Sequence, residues 1–491
     1  MSKRRVAFVA PSLRPVELQS GLVGRQLAQR LRDAIANGEL KPGERLPSTR
    51  TLAKSLGVAR GTVVEVFGQL TAEGYLNAKV GAGTSVAMAL GDGPLMPSPR
   101  VGVRRIDPGS PLPPAAARLA AVARTLVPQP PFPFAVAVPA GGIAPDDTWR
   151  RLGNRIRASR RAAPASYADS FGLPELRVAI AAYVRRARAV HCEMENVVIT
   201  SGTQQGLYMA GRVLLSQGDA VWAEDPAYPG LTAVLDDLGV KTHRVPVDEH
   251  GLNVEQGLAI NPNARAAFVT PSHQYPVGMP MSMARRQALL NWAEQTNAWI
   301  VEDDYDSELR YAGHPFPAMQ GLNPARVIYL GTFSKVLFPS LRLGYLIAPA
   351  PLIEAFAGAR AIIDRHSPLT DQHVLAAYMQ EGFFEAHVRR IRNLYAERRS
   401  VLLEALATSL PPGWTIQHCD QGMHIVVWLP DGVDDVEIAT RLHAAGIVTR
   451  AISPMYAAQN GRRGLMLGFG GFPAEELREA VMRLGSLVRS V

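Results

Sequence analysis

The 491 residues predict a multidomain protein: a small, mainly α N-terminal module, a large α/β domain, and an α+β subdomain at the C-terminus. Three observations predict it. Basic charge is concentrated at one end, since residues 1–88 carry 13 Lys+Arg against 6 Asp+Glu, a net of +7 out of +9 for the whole chain. Eleven of the 38 prolines then fall between residues 90 and 133 and mark a break. From about residue 140 onward, apolar strand-like runs alternate with helical segments, the pattern of a largely parallel sheet.

Composition excludes several classes. A hydrophobic share of 47% with 19% charged residues describes a well-cored protein and not a disordered one. The two cysteines, Cys192 and Cys419, are far apart and lack metal-ligand neighbours, so reduced thiols are expected and no metal site is. The apolar run inside Met1-Ser-Lys-Arg-Arg-Val-Ala-Phe-Val-Ala-Pro11 is too short for a signal peptide. No stretch reaches the eighteen or so apolar residues of a membrane span, so a cytoplasmic protein with no membrane partner is expected.

The first element is an amphipathic helix over residues 22–37, with Leu27, Leu31, Ala34 and Ile35 on one face. Asn37-Gly38 stops it and Lys41-Pro-Gly43 turns the chain. Ser48 opens a second helix as N-cap, with Leu52, Ala53 and Leu56 facing inward. A third runs from about Arg60 to Glu73 on Val63, Val66, Phe67 and Leu70, and residues 77–87 read as a hairpin tipped by Gly81-Ala-Gly83. Three short helices and a glycine-tipped hairpin make a winged helix-turn-helix. The run Leu46-Pro-Ser-Thr-Arg50, Leu56-Gly-Val-Ala-Arg60-Gly-Thr-Val63 and Gly74-Tyr75 resembles the GntR family of bacterial regulators.

The resemblance implies operator DNA as partner: Arg50 lies on the second helix, and Arg60 and Thr62 at the start of the third, whose N-terminal residues are expected to reach base edges or flanking phosphates in the major groove. Arg45 and Lys54 are expected on phosphates, and Gly83 at the wing tip. The module is assigned to residues 15–88, a Pro-rich linker to 89–133, and the α/β domain to 134–491, with 370–491 as its smaller subdomain. Strands are expected at 196–200, 220–223, 266–270, 298–302 and 327–330, and a later pair at 422–429 and 464–469.

The chemistry concentrates in Tyr329-Leu-Gly-Thr-Phe-Ser-Lys-Val-Leu-Phe-Pro-Ser-Leu-Arg-Leu-Gly-Tyr345. A buried strand runs into a turn that ends in Lys335, with Arg342 seven residues on. A lysine at such a mouth is costly unless it is used covalently, as pyridoxal phosphate enzymes use theirs. Val198-Ile-Thr-Ser-Gly-Thr-Gln-Gln205 runs a strand through a small turn into a helix and aims N–H groups at an anion. Glu224-Asp-Pro-Ala-Tyr228 places an aromatic ring after a turn, suited to stacking on a pyridine. Ile300-Val-Glu-Asp-Asp-Tyr305 ends a buried strand in three carboxylates, which is costly without a partner.

This order of features resembles the fold-type I aminotransferases, and with the GntR-like module the whole chain resembles the MocR/GabR regulators, in which the two are fused. The resemblance implies pyridoxal 5'-phosphate as cofactor and Lys335 as its Schiff-base lysine. It implies Arg342, Thr332, Gly202 and Thr203 at the phosphate, Tyr228 over the ring, Asp303 at the pyridine nitrogen and Tyr305 at the ring hydroxyl. Strand alternation sends Asp303 and Asp304 to opposite faces, and the residues alone leave open which of the two meets the ring.

Two departures from the aminotransferase pattern stand out. Gln274-Tyr-Pro-Val-Gly278 lacks the usual asparagine, and the last core strand, Gly464-Leu-Met-Leu-Gly-Phe469, lacks a carboxylate-clamping arginine. Arg450, Arg462 or Arg463 is expected to substitute at an effector. The resemblance therefore implies a pyridoxal phosphate-dependent transcription regulator that senses a small amine or the cofactor itself, as a head-to-tail homodimer. A working aminotransferase with an appended DNA-binding module is the alternative.

Overall fold

The computed structural model describes residues 23–79, 83–88, 112–140, 146–162, 164–313, 316–458 and 461–489. The N-terminal apolar run, Gly81 at the wing tip and five of the eleven prolines of the cluster lie outside the described residues. The chain divides into two units, Met1–Pro113 and Pro114–Val491.

In the first unit, helices α1 (Val23–Ala36), α2 (Thr49–Leu56) and α3 (Arg60–Ala72) precede strands β1 (Leu76–Lys79) and β2 (Gly83–Val86). Leu27, Leu31, Ile35, Leu52, Val63, Val66, Phe67 and Leu70 form its core, the faces expected from their spacing. The Ser48 hydroxyl accepts the Thr51 N–H at 3.2 Å and caps α2. Gly57, at φ +67°, ends that helix in the left-handed region. Leu76 pairs with Val86 and Lys79 with Gly83, which sets the wing register. Arg32 and Glu73 close α1 onto the end of α3 at 2.7 Å.

The second unit is built on an eight-stranded sheet. Its strands are β3 (Val197–Thr200), β4 (Ala220–Asp225), β5 (Lys241–Asp248), β6 (Gly251–Leu252), β7 (Ala266–Val269), β8 (Trp299–Asp304), β9 (Val327–Thr332) and β10 (Gly344–Ile347). They lie in the order β3-β10-β9-β8-β7-β4-β5-β6. Strands β5, β4, β7, β8 and β9 run parallel, and β10 is antiparallel to both its neighbours. Helices cover both faces, so β3, β7 and β9 are buried along their whole length and read as continuous apolar runs. The parallel strands deliver their C-terminal ends to one edge, where ligands of such sheets bind.

A second sheet, β11 (Thr415–Ile416), β12 (His424–Trp428), β14 (Gly464–Gly468) and β13 (Arg450–Ala451), is antiparallel and packs with helices Phe383–Ser409 and Ala474–Val488. Two features depart from expectation. Residues Pro114–Thr125, within the stretch read as linker, form a helix. The residues after it are tied to the body: Gly468 N–H donates to Phe134 O at 2.8 Å and Val448 N–H to Pro133 O at 3.0 Å. Gly468 is needed there, because a Cβ on it would lie 2.2 Å from Ala135 O. Among the described residues no helix is long and apolar enough to cross a membrane.

Asp435, fully buried, staples this second sheet together. Its carboxylate accepts the N–H groups of Ile452 (3.0 Å), Ser453 (2.8 Å) and Gly464 (3.1 Å) and the Ser453 hydroxyl (2.5 Å). Asp435→Ala leaves several buried donors unsatisfied and is expected to cost about 3 kcal/mol. Urea unfolding followed by tryptophan fluorescence measures it, and an unchanged midpoint would contradict this role.

Candidate cofactor and effector site

A cavity of about 390 Å³ opens at the C-terminal edge of the parallel strands. Thr203, Tyr228, Thr270, Tyr275, Asp303 and Lys335 are among the residues that line it.

Lys335 is carried by the loop after β9, which Phe333, Val336 and Leu337 anchor in the core. The Val336 carbonyl is held by His387 Nε2 at 2.6 Å. Burial pulls the Lys335 amine below its ordinary value; Asp306 and Asp303 oppose the shift, while Arg450 and Arg342 reinforce it. The outcome is an amine closer to its neutral, nucleophilic form than a surface lysine.

The end of β8 resolves the two aspartates by alternation. Asp304 points away from the cavity, into an ion pair with Arg188 at 2.8 Å whose side chains are 0% and 3% exposed. Ser307 Oγ (2.9 Å) and Tyr329 OH (2.5 Å) also donate to it. Glu302, on the same face, accepts the N–H groups of Met319 and Gln320 at 3.0 and 3.1 Å. Asp303 lines the cavity instead, with a buried Oδ1 that has no hydrogen-bond partner. Burial and the Asp304 charge push its carboxyl up to about 7.

The anion end is formed by the turn at Gly202 and the start of helix Thr203–Leu214. Gly202 sits at φ +102°, and a Cβ on it would lie 3.6 Å from Arg342 Nη1. Arg342 itself adopts φ +51° at the end of a short 3₁₀ turn, Pro339–Leu341. Its guanidinium and the helix N-terminus therefore converge on one place. Thr332 is buried, with its hydroxyl and the Ser334 hydroxyl 3.1 Å apart, and it shapes the turn before Lys335; like Gly202 and Arg342, it is not itself among the residues that line the cavity.

Tyr228 lines the cavity with its ring edge-on to Tyr275 at 5.4 Å. Burial pushes its hydroxyl up to about 12. Tyr305 lines it too, but its hydroxyl lies 3.0 Å from His273 Nδ1. Of the three candidate effector arginines, only Arg450 reaches the cavity. Arg462 lies over the Trp428 ring at 4.1 Å, and Arg463 is 3.9 Å from Asp434. Arg450 pairs in register with Met466, so the cation sits one strand away from the apolar last strand. Its Nε is buried without a partner.

The sequence reading missed several lining residues, namely Tyr275, Asp306, His424 and the segment around Leu126–Gln129 and Val136–Val138. Gln129 folds that segment back, donating to Thr449 O and accepting from Val136 N–H, each at 3.0 Å. The apolar run from Phe134 to Val138 was its one signal, overshadowed by the surrounding prolines.

In the first unit Arg45, Arg50, Lys54 and Arg60 are all exposed. Thr62 is half-buried, and its methyl lies 3.5 Å from where a Cβ on Gly24 would stand. Gly83 is exposed at φ +85° at the start of β2.

A winged helix-turn-helix unit and an aminotransferase-like unit in one chain define a two-domain class of DNA-binding regulator. Residues 24–86 match the bacterial regulatory proteins of the gntR family, and residues 140–484 match aminotransferase class I and II. The chain belongs to the MocR-type HTH transcriptional regulators. It is 37% identical to the probable rhizopine catabolism regulatory protein MocR of Rhizobium meliloti, over 94% of this chain and 93% of that protein. It is 34% identical to the pyridoxine biosynthesis regulator PdxR of Corynebacterium glutamicum, over 94% and 95%. The body is similar to LysN, the α-aminoadipate aminotransferase of Thermus thermophilus, solved with N-(5'-phosphopyridoxyl)-L-leucine. That likeness has a TM-score of 0.71 at 27% identity and covers 77% of this chain and 97% of that one.

The Arg188–Asp304 pair holds the end of β8 in the alternation that aims Asp303 at the cavity. Arg188→Met leaves a buried carboxylate without its cation and is expected to destabilise the body by about 3–5 kcal/mol. Chemical denaturation checks the loss. Recovery of part of it in Arg188→Met/Asp304→Leu identifies the unpaired charge as the cause.

Proposed function

We propose that this regulator holds pyridoxal 5'-phosphate in the cavity and reads a small amine that enters it. The observation that carries the reading is Lys335, with its depressed amine, sharing one cavity with Asp303, whose Oδ1 is buried and unpartnered. A protonated pyridine nitrogen is the donor that such a carboxylate lacks. Arg342, Gly202 and Thr203 would receive the phosphate, Tyr228 the ring face, and Tyr305 the ring hydroxyl. The cofactor, when bound, supplies an electrophilic carbon that captures primary amines.

Arg450 would take an anionic group on the incoming amine, with Tyr275 beside it. Burial raises the Tyr275 hydroxyl and Arg450 opposes that rise, which marks the two as neighbours. The last strand offers no arginine of its own, since Met466 is fully buried there. A clamp displaced to the neighbouring strand suits retention of a ligand better than rapid turnover at the geometry of an aminotransferase.

On the DNA side, Arg45, Arg50, Lys54 and Arg60 would contact the operator, with Thr62 supporting the third helix and Gly83 the wing. Among the described residues none of those four cations has a side-chain hydrogen bond or ion pair, so they are available to phosphates and bases. A homodimer with the head of one copy over the body of the other fits this reading, as does action in the cytoplasm, where the DNA is.

Two measurements test it. Titrating the purified protein with candidate amines is expected to shift the visible absorbance and change operator affinity, with little multiple turnover. Lys335→Ala, the control, is expected to lose the absorbance. Keto acid production at ordinary enzyme rates, roughly 1–10³ per second, without any effect of the same amine on DNA would favour the aminotransferase reading. Separately, Arg60→Ala is expected to weaken operator binding by about 1–3 kcal/mol at fixed salt. Unchanged affinity would remove the third helix from the groove.

A further inference from the structure

Behind Tyr305 lies a group that the cofactor reading does not use. His273 is 1% exposed and its Nδ1 stands 2.8 Å from Asp306 Oδ2, itself 2% exposed. Its Nε2 is buried and makes no hydrogen bond that satisfies normal geometry. That nitrogen faces Cys419: a Cβ built on Gly278 would lie 3.1 Å from His273 Nε2 and 3.7 Å from Cys419 Sγ. Asp306 and Cys419 together push the imidazole up to about 10, against the burial that would lower it. The ring therefore has a carboxylate on one nitrogen and a sulfur near the other, and both favour its protonated form.

Cys419 is half-buried and held by its backbone, where Arg399 Nε donates to its carbonyl at 2.9 Å. Its thiol donates to Gly278 O at 2.9 Å. Cys192, by contrast, is buried, and that burial pushes its thiol up to about 11. The chain therefore carries one inert thiol and one in the surroundings that activate cysteines: partly open, beside an imidazolium oriented by a carboxylate.

We propose that Cys419, paired with His273 and Asp306, is an oxidisable thiol site that reacts with hydroperoxides and small electrophiles. Loss of the thiol proton gives up the bond to Gly278 O and places a thiolate against the His273 cation. The sulfur then attacks the O–O bond of the peroxide. An S–O bond forms, the O–O bond breaks, and the departing oxygen leaves as hydroxide and takes up a proton. With hydrogen peroxide, cysteine is oxidised to the sulfenic acid and the peroxide is reduced to water, while an alkyl hydroperoxide loses its alkoxide in place of hydroxide and is reduced to the alcohol. His273 Nδ1 also lies 3.0 Å from the Tyr305 hydroxyl, so the same imidazole faces both the thiol and a residue of the cavity wall.

The test uses the full chain treated with hydrogen peroxide and dimedone, with labelling at each cysteine followed by peptide mass spectrometry in the native and the urea-unfolded protein. Exposure alone can never make a folded cysteine faster than the same cysteine unfolded. Cys419 is expected to be labelled about tenfold faster in the folded protein, and Cys192 more slowly. His273→Gln is expected to bring Cys419 to or below its unfolded rate while leaving Cys192 unchanged, and Asp306→Asn to act in the same direction. A folded wild-type rate for Cys419 at or below the unfolded one overturns the proposal, and this arm needs no variant to fold. A His273→Gln protein that folds and keeps the fast rate overturns it as well.

Discussion

Two adjacent carboxylates cannot both leave the end of a buried strand on the same side, and the site depends on that constraint. On β8, alternation gives Asp304 to Arg188, Ser307 and Tyr329 and gives Asp303 to the cavity. Satisfying one makes the other useful. Asp304 is paired with the buried Arg188 guanidinium, and it is among the forces that raise Asp303. Asp303 in turn favours a charged Lys335, in opposition to the burial that lowers it. The reactive amine is a balance among burial, two aspartates and two arginines, set by where one strand ends.

The second constraint is the closing of the cavity. The segment at Phe134 reaches the last sheet only because Gly468 has no side chain to meet Ala135 O. Bringing backbone against that strand places Leu126–Gln129 and Val136–Val138 on the cavity wall. Apolar Leu465, Met466 and Leu467 bury the strand between this segment and the helices. The cation that the strand lacks appears on its neighbour, where Arg450 stands opposite Met466. A displaced cation selects a ligand whose anionic group lies along a different line from Lys335.

Much of the fold was legible because its signals are local. The Ser48 cap, the glycine after Leu56 and the 3.6-residue spacing of Leu27, Leu31 and Ile35 each fix a helix without help from the rest of the chain. Strands buried on both faces show as unbroken apolar runs, so β3, β4, β7, β8 and β9 were all visible. Strands β5 and β10 were not. Lys241–Asp248 is half-buried and mixes charge with apolar residues, and Gly344–Ile347 is four residues long behind a turn. Within the site, Lys335, Asp303, Arg342 and Tyr228 declare themselves through costly placements. Tyr275, Asp306 and His424 do not, because each is an ordinary residue until the chain brings it to the wall. The three arginines Arg450, Arg462 and Arg463 could be separated only by packing. A tryptophan ring and a carboxylate occupy two of them, and the third is left with an unpaired Nε.

Each of the two units has its own core, Leu27 to Val86 in one and the two sheets in the other. Neither needs the other's side chains to fold, so communication between them is a matter of differential contact. An amine held in the cavity changes operator affinity only to the extent that it binds one arrangement of the units better than another. A tenfold change in affinity requires a difference of about 1.4 kcal/mol, which one charge-assisted hydrogen bond supplies. Arg450 is placed to make such a bond: its Nε is already stripped of water and lacks a partner. It stands on β13, beside the strand that receives the Phe134 segment. A body that releases its product quickly would erase that difference at every turnover.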